Sequence, residues 1–379
     1  MTSAQRFDGI CVTGIGMVSS LGHDAITSCA GARAGLAMPS ELKVLHFAAD
    51  EQFGRESLDG PPVVSGHIVR GVAEGFTGLA KSLLLGAAAL KDLLGRTALS
   101  EREASRAAIF VNLSDHFVQD AAEAGSPKSP SAAWKYQSAR LIPKLLAHVG
   151  LPIFENYQSL RHGGHAGFAQ CVEEAALQLA KGSVDRCLVG GIDSRCEPGF
   201  LMAAATLNVL RTADNPTGLT PGEAAAFVLL ERTADIGRAG RSAVAIVTAA
   251  TSTREPNRAP DDEIADGIAL ARVISGVLGD SSASRPVALT IGDLNGTTRR
   301  AQEWGNALAR LRLAGPLGNL PLWLPATSFG DTGAASGGVA LCMAARAFER
   351  GYGPAGEALV WSSSESGGKG AIALAAQRG

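Results

Sequence analysis

Aromatic residues are scarce in this chain, at 5% of 379 positions. Its interior must therefore close on Ala, Leu and Val rather than on large rings. Charge of one sign is missing too: 34 Lys+Arg face 36 Asp+Glu, a formal net charge of −2. That balance excludes the basic stripe of a nucleic-acid scaffold. No apolar run approaches the roughly 20 residues that span a bilayer. The amino-terminal MTSAQRFDG is polar and has no apolar targeting core. The six cysteines, Cys11, Cys29, Cys171, Cys187, Cys196 and Cys342, are scattered with no CxxC pair. This argues against a zinc module or a disulfide framework and suits a reducing compartment. The absences predict a cytoplasmic protein with no membrane segment, no nucleic-acid partner and no metal.

What the chain has is glycine, 46 residues of it, and a hydrophobic fraction of 46%. The length gives room for two domains or one large double-core unit. It also holds an internal repeat. GGHAGFAQCVEEAALQLAKGSVDRCLVGGIDS (163–194) and FGDTGAASGGVALCMAARAFERGYGPAGEALVWSSSES (329–366) each run from a glycine and small residues into a helix, a Gly-rich turn and a short apolar strand. The first helix places Phe168, Val172, Ala175, Ala176 and Leu179 on one stripe and stops at Gly182. The second places Gly338, Leu341, Cys342, Ala345 and Phe348 on one stripe and stops at Gly351. The following strands, 187–189 and 358–361, lack clean alternation, as strands buried on both faces do. A further strand follows each, at 222–231 and 367–376.

Each half thus reads as a mixed α/β unit, with residues 1–240 as the first and 241–379 as the second. The polar stretch 251–266 reads as a surface loop. ICVTGIGMVSSLG (10–22) reads as a strand, a Gly-rich turn and the start of a helix. It lacks the third glycine and the following acidic residue of a dinucleotide loop, so no cofactor is expected. In this reading His165 and Asp331 occupy equivalent places, each at the N-terminus of its own helix. The small residues around them, Gly163, Gly164, Ala166, Gly167, Gly330, Gly333 and Ala334, would keep a pocket open between two helix dipoles.

Taken together, these segments resemble the thiolase-fold condensing enzymes, and among them the β-ketoacyl-acyl-carrier-protein synthases. CVTGIGMVSSLG resembles the opening strand of that family, and GHAGFAQ with LVGGIDS its nucleophile elbow and the strand after it. LTPGEAAAFVLLE resembles its PGEGA strand, LNGTTRRAQEWG the loop of its first active-site histidine, SFGDTGAASGGVAL its GHxxGAAG segment, and SSSESGGKGAIAL its closing GFGG segment. The resemblance implies a layered αβαβα fold of two pseudo-twofold-related mixed α/β halves. It also implies a homodimer whose strand near 153–159 pairs across the twofold.

The departures fall on the chemistry. His165 stands where the family has its nucleophilic cysteine, Asn295 and Asp331 where it has its two histidines, Ala326 where it has a lysine, and Ser366 where it has a gating phenylalanine. The Cys-His-His set that holds an acyl chain and stabilises enolate and oxyanion is therefore missing. One reading is an acyltransferase acting on a carrier- or CoA-bound thioester without an acyl-enzyme. His165 would be the general base, kept neutral by the helix N-terminus, with Asp331 orienting it and Asn295 serving an oxyanion. Ser366, Glu365, Phe329 and Gly333 would line the substrate site.

The other reading is a silent partner, since chain-length-factor-like subunits keep this fold without the cysteine and shape the pocket of an active ketosynthase. Asp331 also suits an N-cap for Gly333 and Ala334, and Asn295 an Asn-Gly turn. Glu365 and Ser366 equally suit a Ser-rich turn. His162 suits a loop position, and its spacing gives a metal site with His165 and Asp331 no support. Cys171 lies too deep in its helix to be a nucleophile and reads as packed core. Arg102, Arg106, Lys128, Lys135, Arg140 and Lys144 are candidates for docking an acidic carrier protein.

Overall fold

In the computed structural model, which describes residues 5–42, 63–115, 132–255, 265–279, 286–313, 317 and 320–377, each apolar run of the repeat becomes a strand covered on both faces. The main strands are β1 (Ile10–Ser19), β2 (Ala107–Leu113), β3 (Gln158–His162), β4 (Arg186–Ser194), β5 (Glu223–Arg232), β6 (Ala245–Arg254), β7 (Val287–Gly292), β8 (Leu322–Trp323), β9 (Glu357–Ser363) and β10 (Gly368–Ala375). They lie in the order β8-β7-β9-β10-β6-β1-β5-β4-β2-β3. The order is the same read from either end: β3-β2-β4-β5-β1 repeats as β8-β7-β9-β10-β6. The directions repeat as well. β2 pairs in parallel with β3 and β4, and β7 in parallel with β8 and β9, while the inner pairs are antiparallel. The halves touch through a short antiparallel join, Cys11 opposite Ile246 and Val12 opposite Ala245.

The eight longer helices described are α1 (Ala25–Arg33), α2 (Gly78–Thr97), α3 (Ala132–Val149), α4 (Gly167–Ala180), α5 (Pro198–Thr206), α6 (Ile268–Leu278), α7 (Thr298–Leu313) and α8 (Ser336–Arg350). Three apolar clusters separate the layers. One packs α2 and α3 on the first half-sheet, one packs α6 and α7 on the second, and the largest holds α4 and α8 between the two. This is the expected αβαβα arrangement. The middle helices are the repeat helices. Phe168, Val172, Ala175, Ala176 and Leu179 are all fully buried. Gly182 and Gly351 both take a positive φ at the helix stops, +68° and +64°. A Cβ on Gly337 would sit 2.8 Å from that of Phe168, so small residues let α8 cross α4 at short range. No helix among the described residues is long and apolar enough to cross a membrane.

Two expectations are corrected. Gly14 and Gly16 are not a turn: β1 runs straight through them. A Cβ on Gly16 would lie 2.3 Å from the Ala89 carbonyl, and one on Gly14 2.2 Å from Thr97 Cγ2. These glycines admit α2 onto the sheet. The stretch 251–266 is not loop throughout, because β6 continues to Arg254, paired with Gly368 of β10. Residues 256–264 of it lie outside the described residues.

Candidate functional site

The two helix starts meet at the centre of the molecule. His165 sits in the short turn Gly164–Ala166 before α4, and Asp331 just ahead of the matching turn Gly333–Ala335 before α8. Gly164 and Gly333 both take a positive φ, +55° and +50°. Superposing those glycines pairs His165 with Ala334, and Asp331 with His162. The expected equivalence of His165 and Asp331 is therefore corrected. They are neighbours through the packing of two turns, not twins by symmetry. The backbone of Asp331 is pinned by the Pro-Gly-Glu segment: its N–H donates to the Thr220 carbonyl at 2.7 Å, and its carbonyl accepts from Gly222 at 2.9 Å.

Their side chains touch inside a buried ion network. His165 Nε2 donates to Asp331 Oδ1 at 2.6 Å. Its Nδ1 lies 3.3 Å from Glu365 Oε2. Asn295 Nδ2 donates to Asp331 Oδ2 at 2.6 Å, while its Oδ1 accepts from Thr297 N and Oγ1. The Asn-Gly turn and the link to Asp331 are thus one arrangement, and the amide donor is already committed. Asp331 Oδ1 also accepts from Gly333 N at 2.9 Å, as an N-cap would. The Ala334 amide instead donates to Asp193 Oδ2 at 2.8 Å.

Two arginines that the sequence reading missed complete the network. Arg195 Nη1 is 3.4 Å from Asp331 Oδ2, and its Nη2 is 3.4 Å from Glu365 Oε2. Arg300 Nη2 donates to Glu365 Oε1 at 2.6 Å, and its Nη1 pairs with Asp293 Oδ2 at 3.0 Å. Arg195 and Arg300 are 2% and 6% exposed, and His165 is 0% exposed. The sequence signal was charge at the buried ends of strands: Asp193 and Arg195 after LVGG, and Asp293, the partner of Arg300, after TIG. A charge carried into an apolar layer has to be paired.

The protonation state of His165 runs against expectation. Burial and the Arg300 guanidinium, 3.0 Å from Nδ1, oppose a charge on the ring, but Asp331 and Glu365 outweigh them and raise it to about 9. The expected neutral ring is corrected: carboxylate oxygens of Asp331 and Glu365 lie 2.6 and 3.3 Å from its two nitrogens and favour the charged form. Despite burial, Asp331 is held below the usual carboxylate range by Arg195 and His165, and Glu365 well below it by Arg300 and His165. The ring thus meets Asp331 at Nε2 and Glu365 at Nδ1, with Arg300 Nη2, itself bound to Glu365, 3.0 Å from Nδ1.

Among the described residues, Gly164, Gly167 and Gly333 do not hold a pocket open beside His165. Ideal Cβ atoms on Gly164, Gly167 and Gly333 would meet Asp115 Oδ2 at 2.6 Å, Asn112 Oδ1 at 2.0 Å and Asp193 Oδ2 at 1.9 Å. The glycines admit polar side chains, and those fill the space. Behind Asp331 a cavity of about 10 Å³ touches Asn295, Ala326 and Trp361 but not His165; it has room for about one water. His165, Asp331 and Glu365 offer atoms within 4.8 Å of one another for a metal, yet the two guanidinium groups already occupy the cation's place among them. His162 is not in this group; it ends β3, with Nδ1 3.0 Å from the Ser114 carbonyl.

Of the expected substrate contacts, Glu365 belongs to the ion network, and Gly333 forms the turn that admits Asp193. Ser366 is half-buried in the turn before β10, and Phe329 is fully buried in the central apolar layer. Cys171 is packed core as expected, with burial raising its thiol to about 12. Of the basic residues, Arg102 is exposed. Arg106 pairs with Asp185, and Arg140 lies over the Tyr136 ring at 4.4 Å. Lys144 is exposed. Lys128 and the side chain of Lys135 lie outside the described residues.

No family profile and no curated protein sequence matches the chain. Solved structures do. A type II polyketide synthase acyl-carrier protein in complex with its ketosynthase, bound to a hexaketide, matches with a TM-score of 0.76 at 17% identity, over 98% of this chain and 100% of that one. The ishigamide ketosynthase/chain length factor matches with 0.72 at 18% identity, over 99% and 100%. An oxazolomycin ketosynthase domain from Streptomyces albus matches with 0.74 at 14% identity, over 98% and 74%. Three layers of helices around two five-stranded half-sheets, in the strand order above, make this chain a thiolase fold in the form that ketosynthases use.

Proposed function

We propose that this chain is the catalytically silent subunit of a ketosynthase pair, acting beside an active, cysteine-bearing homologue that uses a carrier-bound acyl thioester. One observation carries the reading. The place where the two helix starts meet, which a condensing enzyme needs for its acyl group, is filled by His165, Asp331, Glu365, Arg195 and Arg300 bound to one another. A buried network of this kind is costly to open, because removing one partner strands the other charge. Among the described residues no thiol reaches it, and every cysteine is buried.

The acyltransferase reading, with His165 as general base, finds less support. A base must be unprotonated at working pH and within reach of the acceptor. His165 is held charged up to about 9 and is sealed from solvent. The solved ketosynthase/chain length factor pair of the same fold and the carrier-bound ketosynthase support a heterodimer served by an acyl-carrier protein. A homodimer is the simpler assembly, but it would contain no thiol at either elbow.

The test is intact-mass spectrometry after incubation with an acyl-carrier-protein thioester, with this chain alone and then co-expressed with a cysteine-bearing homologue. The expected result is no acyl adduct and no turnover by this chain alone, and acylation of the partner in the pair. Turnover by this chain alone that disappears in His165→Ala would overturn the proposal in favour of acyl transfer.

A further inference from the structure

We propose that the cavity between α1 and β8 binds a planar aromatic carboxylate, with its rings against Trp323 and Tyr352 and its charge on Arg33. The cavity measures about 390 Å³, within the roughly 300–1,000 Å³ of small-molecule sites. It shares no residue with the ion network. Its walls come from three well-fixed elements. α1 carries Arg33 and is capped by Asp24, which accepts from Thr27 N at 2.9 Å. β8 carries Trp323, registered opposite Ile291. Tyr352 follows the glycine stop of α8.

The Trp323 and Tyr352 rings stack at 6.3 Å and 27°, both half-buried. The Arg33 guanidinium lies over the Tyr352 ring at 4.2 Å. Stacking uses the flat face of the guanidinium and leaves its edge donors free for a forked bond to a carboxylate. Arg33 has no carboxylate partner among the described residues and is exposed at the cavity rim, while Arg346 nearby is paired with Glu349. Leu322 and Met343 supply the apolar remainder. Cys29 lines the floor with a thiol that burial raises to about 12, so it is an apolar wall, not a reactive group. A cavity with an aromatic wall and one cation without a carboxylate partner at its rim selects an anion with a flat apolar body.

The test is titration calorimetry on the full chain with 2-naphthoate and with its neutral counterpart 2-naphthamide. Saturable binding of the naphthoate is expected, with the amide at least tenfold weaker. In Arg33→Gln the acid should fall by tenfold or more to the level of the amide. In Trp323→Leu, checked for an unchanged melting curve, both probes should weaken. No saturable binding to the natural chain, or equal naphthoate affinity in Arg33→Gln, would overturn the proposal. Arg33 lies on the surface, so its variant tests the site even if Trp323→Leu does not fold. Either result leaves the silent-subunit reading untouched.

Discussion

A histidine with Asp331 on one ring nitrogen and Glu365 near the other gains more as an imidazolium than burial takes away. The consequence is a pH dependence of known sign. The folded-state value is raised, to about 9 from an ordinary value of 6.5. The stability this proton contributes is therefore fully present below about pH 6.5 and is lost as pH rises through about 9. A shift of that size corresponds to roughly 3 kcal/mol at most. Denaturant unfolding across this window should show the natural chain weakening with rising pH and His165→Gln losing most of that slope. An unchanged slope would mean the ring is neutral in the fold. Glu365→Gln should be harsher at neutral pH. It leaves Arg195 and Arg300 facing one carboxylate fewer, and breaking a buried pair costs about 3–5 kcal/mol. The unfolding midpoint checks this.

At the scale of elements, the glycines decide how closely helices and strands approach. Gly16 of β1 and Gly95 of α2 belong to the same pair of packed elements but differ in surroundings. A Cβ at Gly16 meets the backbone of Ala89 and Leu93 within 2.5 Å, whereas a Cβ at Gly95 meets nothing within 4 Å. Gly16→Ala should push α2 off the sheet and destabilise by about 1–3 kcal/mol, the usual cost of overpacking. Gly95→Ala, on the exposed face of a helix, should stabilise by about 0.5–1 kcal/mol. Thermal melts of the two variants should move in opposite directions. The helices, their stops and the buried strands were legible because each rests on local spacing. Phe168 to Leu179 fall on one stripe whatever the rest of the chain does, and Gly182 and Gly351 break their helices where they stand. The glycines of β1 were misread as a turn because the reason for them is a helix far along the chain.

For the whole molecule, the sheet ends in two unlike edges. β8 is a two-residue strand, and β3 is longer and half-buried, with Phe154 just ahead of it 62% exposed. If β3 carries the subunit contact, Phe154→Asp should shift the co-expressed pair to single chains in light-scattering chromatography, with an unchanged circular dichroism spectrum. A pair that stays intact would move the interface elsewhere. The sequence alone determined the duplicated α/β halves, because periodicity, breakers and repeats act over a few residues at a time, and the layered arrangement followed from the resemblance of its motifs to the condensing enzymes. It also placed His165, Asp331, Asn295 and Glu365 near one site, through the order of motifs. Only the tertiary structure brought in Arg195 and Arg300, 30 and 135 residues from His165, closed the space between the helix starts and raised the imidazole. Those outcomes depend on distances between charges that neighbour one another only after folding, and electrostatic energy in a buried site follows distance, not sequence order.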